Sequence, residues 1–230
     1  DVCTQTLFRV TASNAYYGAA YTAGPFTVDN VPPAFPPGSA LTAFPFSSVG
    51  PYALTTNLLT LVWPDATDTP STNLSYRLVG AGSTHTTATA SATFSLSNAL
   101  NATHAFQVTA VDPGGNASEP LSASFLVLDA LGDYDGDGLS NADEEIAGTS
   151  ATNAAERFTA TLSSGPGAMT LSWQGAAGRL YTVEATPTLL PPDWQPLPGL
   201  TDIPGTGTPL DVALPTTQPS CFFRIRVRLP

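Results

Sequence analysis

Apolar and polar residues alternate along most of this chain in short runs, separated by proline and glycine clusters. In His104–Val111, Phe106, Val108 and Ala110 alternate with Gln107 and Thr109. A period of two places every second side chain on one face of a strand. This pattern, or a short Val/Thr/aromatic run bounded by turn residues, predicts strands at Thr6–Ala12, Pro25–Asp29, Leu58–Trp63, Leu74–Val79 and Thr89–Leu96. It predicts further strands at His104–Val111, Ser122–Leu128, Met169–Gln174, Arg179–Ala185 and Phe222–Arg228. The last of these sets Phe222, Arg224, Arg226 and Arg228 on one face and Phe223, Ile225 and Val227 on the other, a half-buried strand with a basic outer face. Helical periodicity is almost absent. The one predicted helix runs from Ser140 to Ala147: Ser140 is a good N-cap, Asp143 and Glu144 suit the first turn, and Gly148 stops it.

Two stretches echo each other. Leu7-Phe8-Arg9-Val10-Thr11-Ala12 matches Ala105-Phe106-Gln107-Val108-Thr109-Ala110, about 98 residues later, and each is followed by a turn and a second strand. Trp63, in Leu61-Val62-Trp63-Pro64-Asp65, is similar to the core tryptophan on the second strand of fibronectin type III modules. Phe106-x-Val108-x-Ala110 resembles the penultimate strand of that family, and Asp112-Pro113-Gly114-Gly115-Asn116 the turn after it. His104 stands where that family usually has a tyrosine that bonds back to the chain. The resemblance implies a sandwich over residues 31–128. Residues 1–30 then look like only the last two strands of a preceding module. A two-strand ribbon is marginal alone in water, and its open edges invite another chain.

Residues Asp133–Glu144 read D-Y-D-G-D-G-L-S-N-A-D-E. Asp133, Asp135 and Asp137 fall at positions 1, 3 and 5 of a calcium loop, and Gly138 at position 6, where the chain must turn sharply. Leu139 offers a backbone carbonyl at position 7, Asn141 a direct or water-bridged oxygen at position 9, and Glu144 a bidentate carboxylate at position 12. A hard cation needs about six to eight oxygens at short range, and this spacing supplies them from one segment. No helix precedes the loop, so a paired, opening sensor is not expected. The loop and the following Gly148-Thr149-Ser150 resemble the thrombospondin type 3 and dockerin-like repeats of bacterial surface proteins. That resemblance implies a linker, residues 129–156, stiffened by one Ca2+. Residues 157–230 resemble a small β domain that recurs behind such repeats. The expected fold class is therefore all-β: an immunoglobulin/fibronectin III-like sandwich and a second small β domain, joined by a calcium-binding loop with one short helix.

A second, weaker cation candidate surrounds Asp29-Asn30-Val31-Pro32, which resembles the D-N-x-P linker of cadherins; Asp65, Asp68 and Asp112 could add oxygens from loops. Such residues are also ordinary turn formers.

Charge narrows the field of functions. Eighteen acidic residues face seven arginines and no lysine, a formal net charge of −11. Nothing is basic enough to grip a nucleic-acid backbone or an anionic membrane. No run approaches the roughly 18 apolar residues of a membrane span. A chain with only 11% charged residues, polar through threonine and serine, reads as secreted or cell-surface. No leader pattern is visible, so the numbering starts after cleavage or the chain is part of a longer one; Asp1 suits a mature terminus. Cys3 and Cys221 could pair in an oxidising compartment, within one chain or between two.

Enzymatic chemistry finds no foothold. His85 and His104 are the only histidines, and neither sits in a triad or metal spacing. Ser163-Ser164-Gly165 reads as a hairpin turn, not a nucleophile elbow. Trp194 and Tyr181 suit core packing better than a sugar platform. The expectation is a non-enzymatic, extracellular, calcium-stabilised structural protein whose partners are copies of itself in a filament or surface layer. The alternative is the C-terminal tail of a larger secreted adhesin or enzyme.

Overall fold

The computed structural model describes residues 3–13, 18–69, 71–96, 99–165, 168–215 and 221–230, with backbone alone over 3–28. In chain order the strands are β1 (Cys3–Ser13), β2 (Gly18–Val28), β3 (Thr42–Phe44), β4 (Tyr52–Thr55), β5 (Leu58–Val62) and β6 (Ser75–Gly80). Then come β7 (Ser83–Thr87), β8 (Ser91–Ser95), β9 (Ala102–Val111) and β10 (Leu121–Asp129). Helix α1 (Asn141–Ala147) follows, and then β11 (Ala160–Gly165), β12 (Ala168–Gln174) and β13 (Leu180–Thr186). The chain closes with β14 (Gln195–Pro196), β15 (Ile203–Pro204), β16 (Pro209–Leu214) and β17 (Phe222–Arg228). The protein is all-β with one short helix. It divides into two compact units, Asp1–Pro45 with Asn57–Val127, and Phe46–Thr56 with Leu128–Pro230.

The first unit holds a fibronectin III-like sandwich. One sheet has the order β3-β5-β8; the other runs β10-β9-β6-β7. Alternation decides which side chains meet. In β6 every second residue, Tyr76, Leu78 and Gly80, faces inward and is buried. Leu59 and Leu61 of β5, Phe94 of β8, and Phe106 and Val108 of β9 are all 1% exposed or less. Phe94 and Phe106 meet edge to face across the two sheets at 5.0 Å, and Trp63 meets Tyr76 the same way at 5.6 Å. The His85 ring stands edge-on to Phe94 at 4.5 Å, with its Nε2 3.3 Å from Ser83 Oγ. His104 bonds back to the chain, its Nε2–H donating to the Ala99 carbonyl at 2.6 Å. Gly80 is required by packing, since a Cβ there would lie 2.1 Å from the Phe106 ring. Ahead of the sandwich, β1 and β2 form an antiparallel ribbon, from Cys3 opposite Val28 to Ser13 opposite Gly18.

The second unit contains the sheet β11-β12-β16 and a sheet centred on β13, which pairs with β14, β15 and β17. Leu171, Trp173, Tyr181, Val183 and Leu214 form its core. Burial in β17 alternates as the sequence requires, with Phe223, Ile225 and Val227 turned inward. On the outer face Arg224 pairs with Glu184 at 2.6 Å and Arg228 with Asp202 at 3.0 Å. Arg224 also lies over the Trp194 ring, 4.5 Å from its centre, and Tyr181 is fully buried, so neither aromatic offers a free platform. Ser163–Gly165 end strand β11 and are not themselves the turn.

Cys221 is a half-buried free thiol; the side chain of Cys3 lies outside the described residues. Among the described residues no helix is long and apolar enough to cross a membrane.

Candidate metal centre

The acidic loop is folded by its own carboxylates. Asp133 Oδ1 accepts from the Gly136 N–H at 2.8 Å and the Asp137 N–H at 3.2 Å, while its Oδ2 accepts from the Gly138 N–H at 2.9 Å. Asp135 Oδ1 accepts from the Asp137 N–H at 3.2 Å, and Asp137 Oδ1 from the Leu139 N–H at 2.8 Å. Gly138 takes φ +100°, where a side chain would strain the backbone. Carboxylate oxygens of Asp133, Asp135 and Asp137 come within 4.8 Å of one another.

Asn141 has a different first duty from that expected at position 9. It is fully buried. Its Oδ1 accepts from the Tyr134 N–H at 3.0 Å and its amide donates to the Asp129 carbonyl at 2.7 Å, which closes the loop at its base. One Oδ1 lone pair is left for a direct or water-bridged contact.

Glu144 is 0% exposed, yet its Oε2 has no hydrogen-bond partner. Asp135 Oδ2 and Asp137 Oδ2 are likewise buried without one; Arg157 Nε stands 3.5 Å from the latter as an ion pair. Burial, then the charges of Asp135 and Asp137, push the Glu144 carboxyl up to about 7. Three buried carboxylate oxygens without hydrogen bonds, one of them facing a single arginine, are costly unless something positive occupies the space between them. The donor set is oxygen only, on a glycine-hinged loop, so the residues fit Ca2+.

Helix α1 carries this site into the rest of the second unit. Ser140 accepts from the Asp143 N–H at 3.1 Å and donates to the Asp143 carboxylate at 2.7 Å. At the other end Gly148 closes the helix at φ +84°, donating to the Glu144 carbonyl. A Cβ on Gly148 would sit 2.3 Å from Ala176, so glycine is needed there twice over. Arg179, 8% exposed, caps the helix from the C-terminal β domain. Its Nη2 donates to the Glu145 carbonyl at 2.5 Å and its Nε to the Ile146 carbonyl at 3.3 Å. The Glu145 carboxylate accepts from the Ser47 hydroxyl at 2.5 Å, from the Ser48 N–H at 3.0 Å, and from the Ser48 hydroxyl. The Tyr52 hydroxyl accepts from the Ala151 N–H at 3.1 Å, and the Thr55 carbonyl, at the end of β4, from the Ala130 N–H at 2.9 Å.

Sequence reasoning missed Arg179, Glu145, Ser47, Ser48 and Tyr52. The only hint was an arginine directly after Gly178 in a chain without lysine; the other contacts span about a hundred residues and leave no local pattern.

The second candidate is split by the structure. Oxygens of Asp29, Asp68 and Asp112 lie within 4.8 Å of one another. Asp65 is elsewhere, accepting from the Tyr76 hydroxyl at 3.1 Å.

No family model matches the chain, and no curated protein matches it. Among solved structures it is similar to chitinase ChiA74 from Bacillus thuringiensis, with 15% identity over 83% of this chain and a TM-score of 0.36. The chain spans 28% of that chitinase's length. The FN1–FN3 domains of chicken CNTN1 match at 13% identity over 96% of this chain and 68% of that one, with a TM-score of 0.36. Carbohydrate-binding modules of the β-sandwich superfamily match at 14% identity over 87% of this chain and 98% of theirs, with a TM-score of 0.36. These are at most similarities of fold, and nothing about ligand or partner follows from them.

Proposed function

We propose that this chain is an extracellular, calcium-stabilised structural protein. Asp133, Asp135, Asp137 and Glu144, with the Leu139 carbonyl and Asn141, hold one Ca2+. The observation that carries this reading is the trio of buried oxygens without a hydrogen-bond partner on Asp135, Asp137 and Glu144, of which only Asp137 Oδ2 has a counter-charge, Arg157 Nε at 3.5 Å, among the described residues. Binding does no chemistry. It neutralises a crowded anionic centre and fixes an acidic stretch that would otherwise be a flexible linker. Because Glu144 and Glu145 are neighbours on α1, the ion-bound loop sets the helix that Arg179, Ser47 and Ser48 grip. Residues 46–56, the helix and the C-terminal sheets are thereby held as one body.

The proposed role is that of a protomer in a filament or surface layer, with residues 1–30 adding strands to a neighbouring copy. The β1–β2 ribbon supports it, because among the described residues no third strand joins that sheet. The same ribbon supports the alternative, in which it ends a preceding module of a larger secreted adhesin or enzyme. Electron microscopy and light scattering of the purified chain, with about 2 mM Ca2+ and with excess chelator, test both ideas. Calcium-dependent filaments support the protomer. A monodisperse monomer under both conditions rejects it and favours the tail. Unchanged melting after metal removal rejects the calcium reading itself.

A further inference from the structure

Asp29 directly follows β2, Asp68 lies in the loop after β5, and Asp112 directly follows β9. Their carboxylates converge at one end of the sandwich, with an oxygen of each within 4.8 Å of the others. Asp112 is 5% exposed. The Asn116 side-chain amide donates to Asp112 Oδ2 at 2.7 Å and the Asn116 N–H to its Oδ1 at 2.8 Å. Asp29 Oδ2 accepts from the Ser71 hydroxyl at 3.0 Å and Oδ1 from the Val31 N–H at 3.1 Å. Asp68 Oδ1 accepts from the Thr69 N–H at 2.8 Å.

Two facts point from this cluster to a ligand. Asp68 Oδ2 is completely buried and has no hydrogen-bond partner. In addition, among the described residues no cationic side chain pairs with the cluster. The ion pairs among the described residues engage Asp137, Glu145, Glu184 and Asp202, and none engages Asp29, Asp68 or Asp112. A buried anionic oxygen with no hydrogen-bond partner, and with no counter-charge among the described residues, is costly to leave bare. Simple turn formation accounts for the Asp68 Oδ1 contact but not for the buried Oδ2.

We propose that Asp29, Asp68 and Asp112 form a second Ca2+ site, independent of the Asp133–Glu144 loop, which pins the exit of the β1–β2 ribbon to two loops of the sandwich. Three hard oxygen donors from separate chain segments, completed by water or backbone carbonyls, suit the flexible coordination of calcium better than the strict octahedron of magnesium. Fewer carboxylates than in the loop imply weaker binding, in the range of about 10⁻⁴–10⁻³ M typical of extracellular modules.

The N–H groups of Val31, Thr69 and Asn116 donate to the three carboxylates, one each. They can therefore report on the site by amide NMR of the ¹⁵N-labelled full chain titrated with CaCl2. Gly136 and Gly138 report in the same spectra on the first loop. The expected result is that Val31, Thr69 and Asn116 shift together and saturate at about millimolar Ca2+. Asp68→Asn should weaken that response at least about tenfold and leave the Gly136 and Gly138 response unchanged. Asp29→Asn is the second variant, should Asp68→Asn fail to fold. Val31, Thr69 and Asn116 signals that stay fixed up to about 10 mM Ca2+, or that respond identically in both variants, overturn the proposal, whatever the first loop does.

Discussion

At the scale of single residues, Glu144 concentrates the behaviour of the proposed calcium site. Its carboxyl is raised from an ordinary value of 4.5 to about 7 by burial and the neighbouring aspartates. A raised carboxyl keeps a proton that the unfolded chain releases, so this group favours the folded state at low pH and loses that contribution as pH rises through about 7. The ion-free chain should therefore melt at lower temperature at pH 8 than at pH 5.5, as far as this group is concerned. Calcium binds only the carboxylate form, so its affinity should rise over the same interval and oppose the trend. Calorimetry of metal-stripped and Ca2+-saturated protein at both pH values checks this. In Glu144→Gln the ion-free pH trend should flatten, and calcium affinity should fall at least about tenfold. An unchanged pH slope in that variant would show that another group governs it.

At the scale of elements, α1 is too short to stand on its own, since isolated helices below about 12 residues are marginal in water. Its stability comes from both ends. Gly148→Ala would force a side chain into a positive-φ position and against Ala176, and should cost about 2–4 kcal/mol in urea unfolding of the calcium-bound protein. Arg179→Met keeps the volume but removes the donors to the Glu145 and Ile146 carbonyls and leaves the Glu145 carboxylate short of a counter-charge. It should cost about 2–4 kcal/mol and weaken calcium binding as well, because the helix that presents Glu144 loses its C-terminal anchor. Wild-type calcium affinity in Arg179→Met would mean that loop and clamp are uncoupled. Much of this element was legible in the sequence: Ser140 caps, Gly148 terminates, and the loop aspartates converge as their spacing requires. The clamp was not, because Ser47, Ser48 and Tyr52 reach it from about a hundred residues away. The strands β3, β4, β7, β11, β14, β15 and β16 also escaped prediction. Most are short, proline-bearing or exposed on both faces and are held by hydrogen bonds with a neighbour; β16 is different, since Leu210, Val212 and Leu214 alternate toward the core behind Pro209.

At the scale of the whole molecule, two units with separate cores should unfold in more than one step. Calcium at about a hundred times its dissociation constant for the first loop adds about 2.7 kcal/mol to whichever unit holds that loop. Calorimetry should thus show one transition moving on chelation in the Asp68→Asn variant, that of the unit containing Leu171, Trp173 and Tyr181. A single transition that ignores calcium would contradict this division of labour. By itself the sequence determined the all-β class, the inward residues of the sandwich and the acidic loop whose oxygen spacing suits a cation. Each of these rests on local spacing: period two for a strand, fixed oxygen positions for a cation. Only the tertiary structure decided that Asn141 braces the loop, that Asp68 rather than Asp65 joins Asp29 and Asp112, and that Arg179 caps α1. Those outcomes depend on which distant segments come together, and side-chain spacing along a chain carries no record of that.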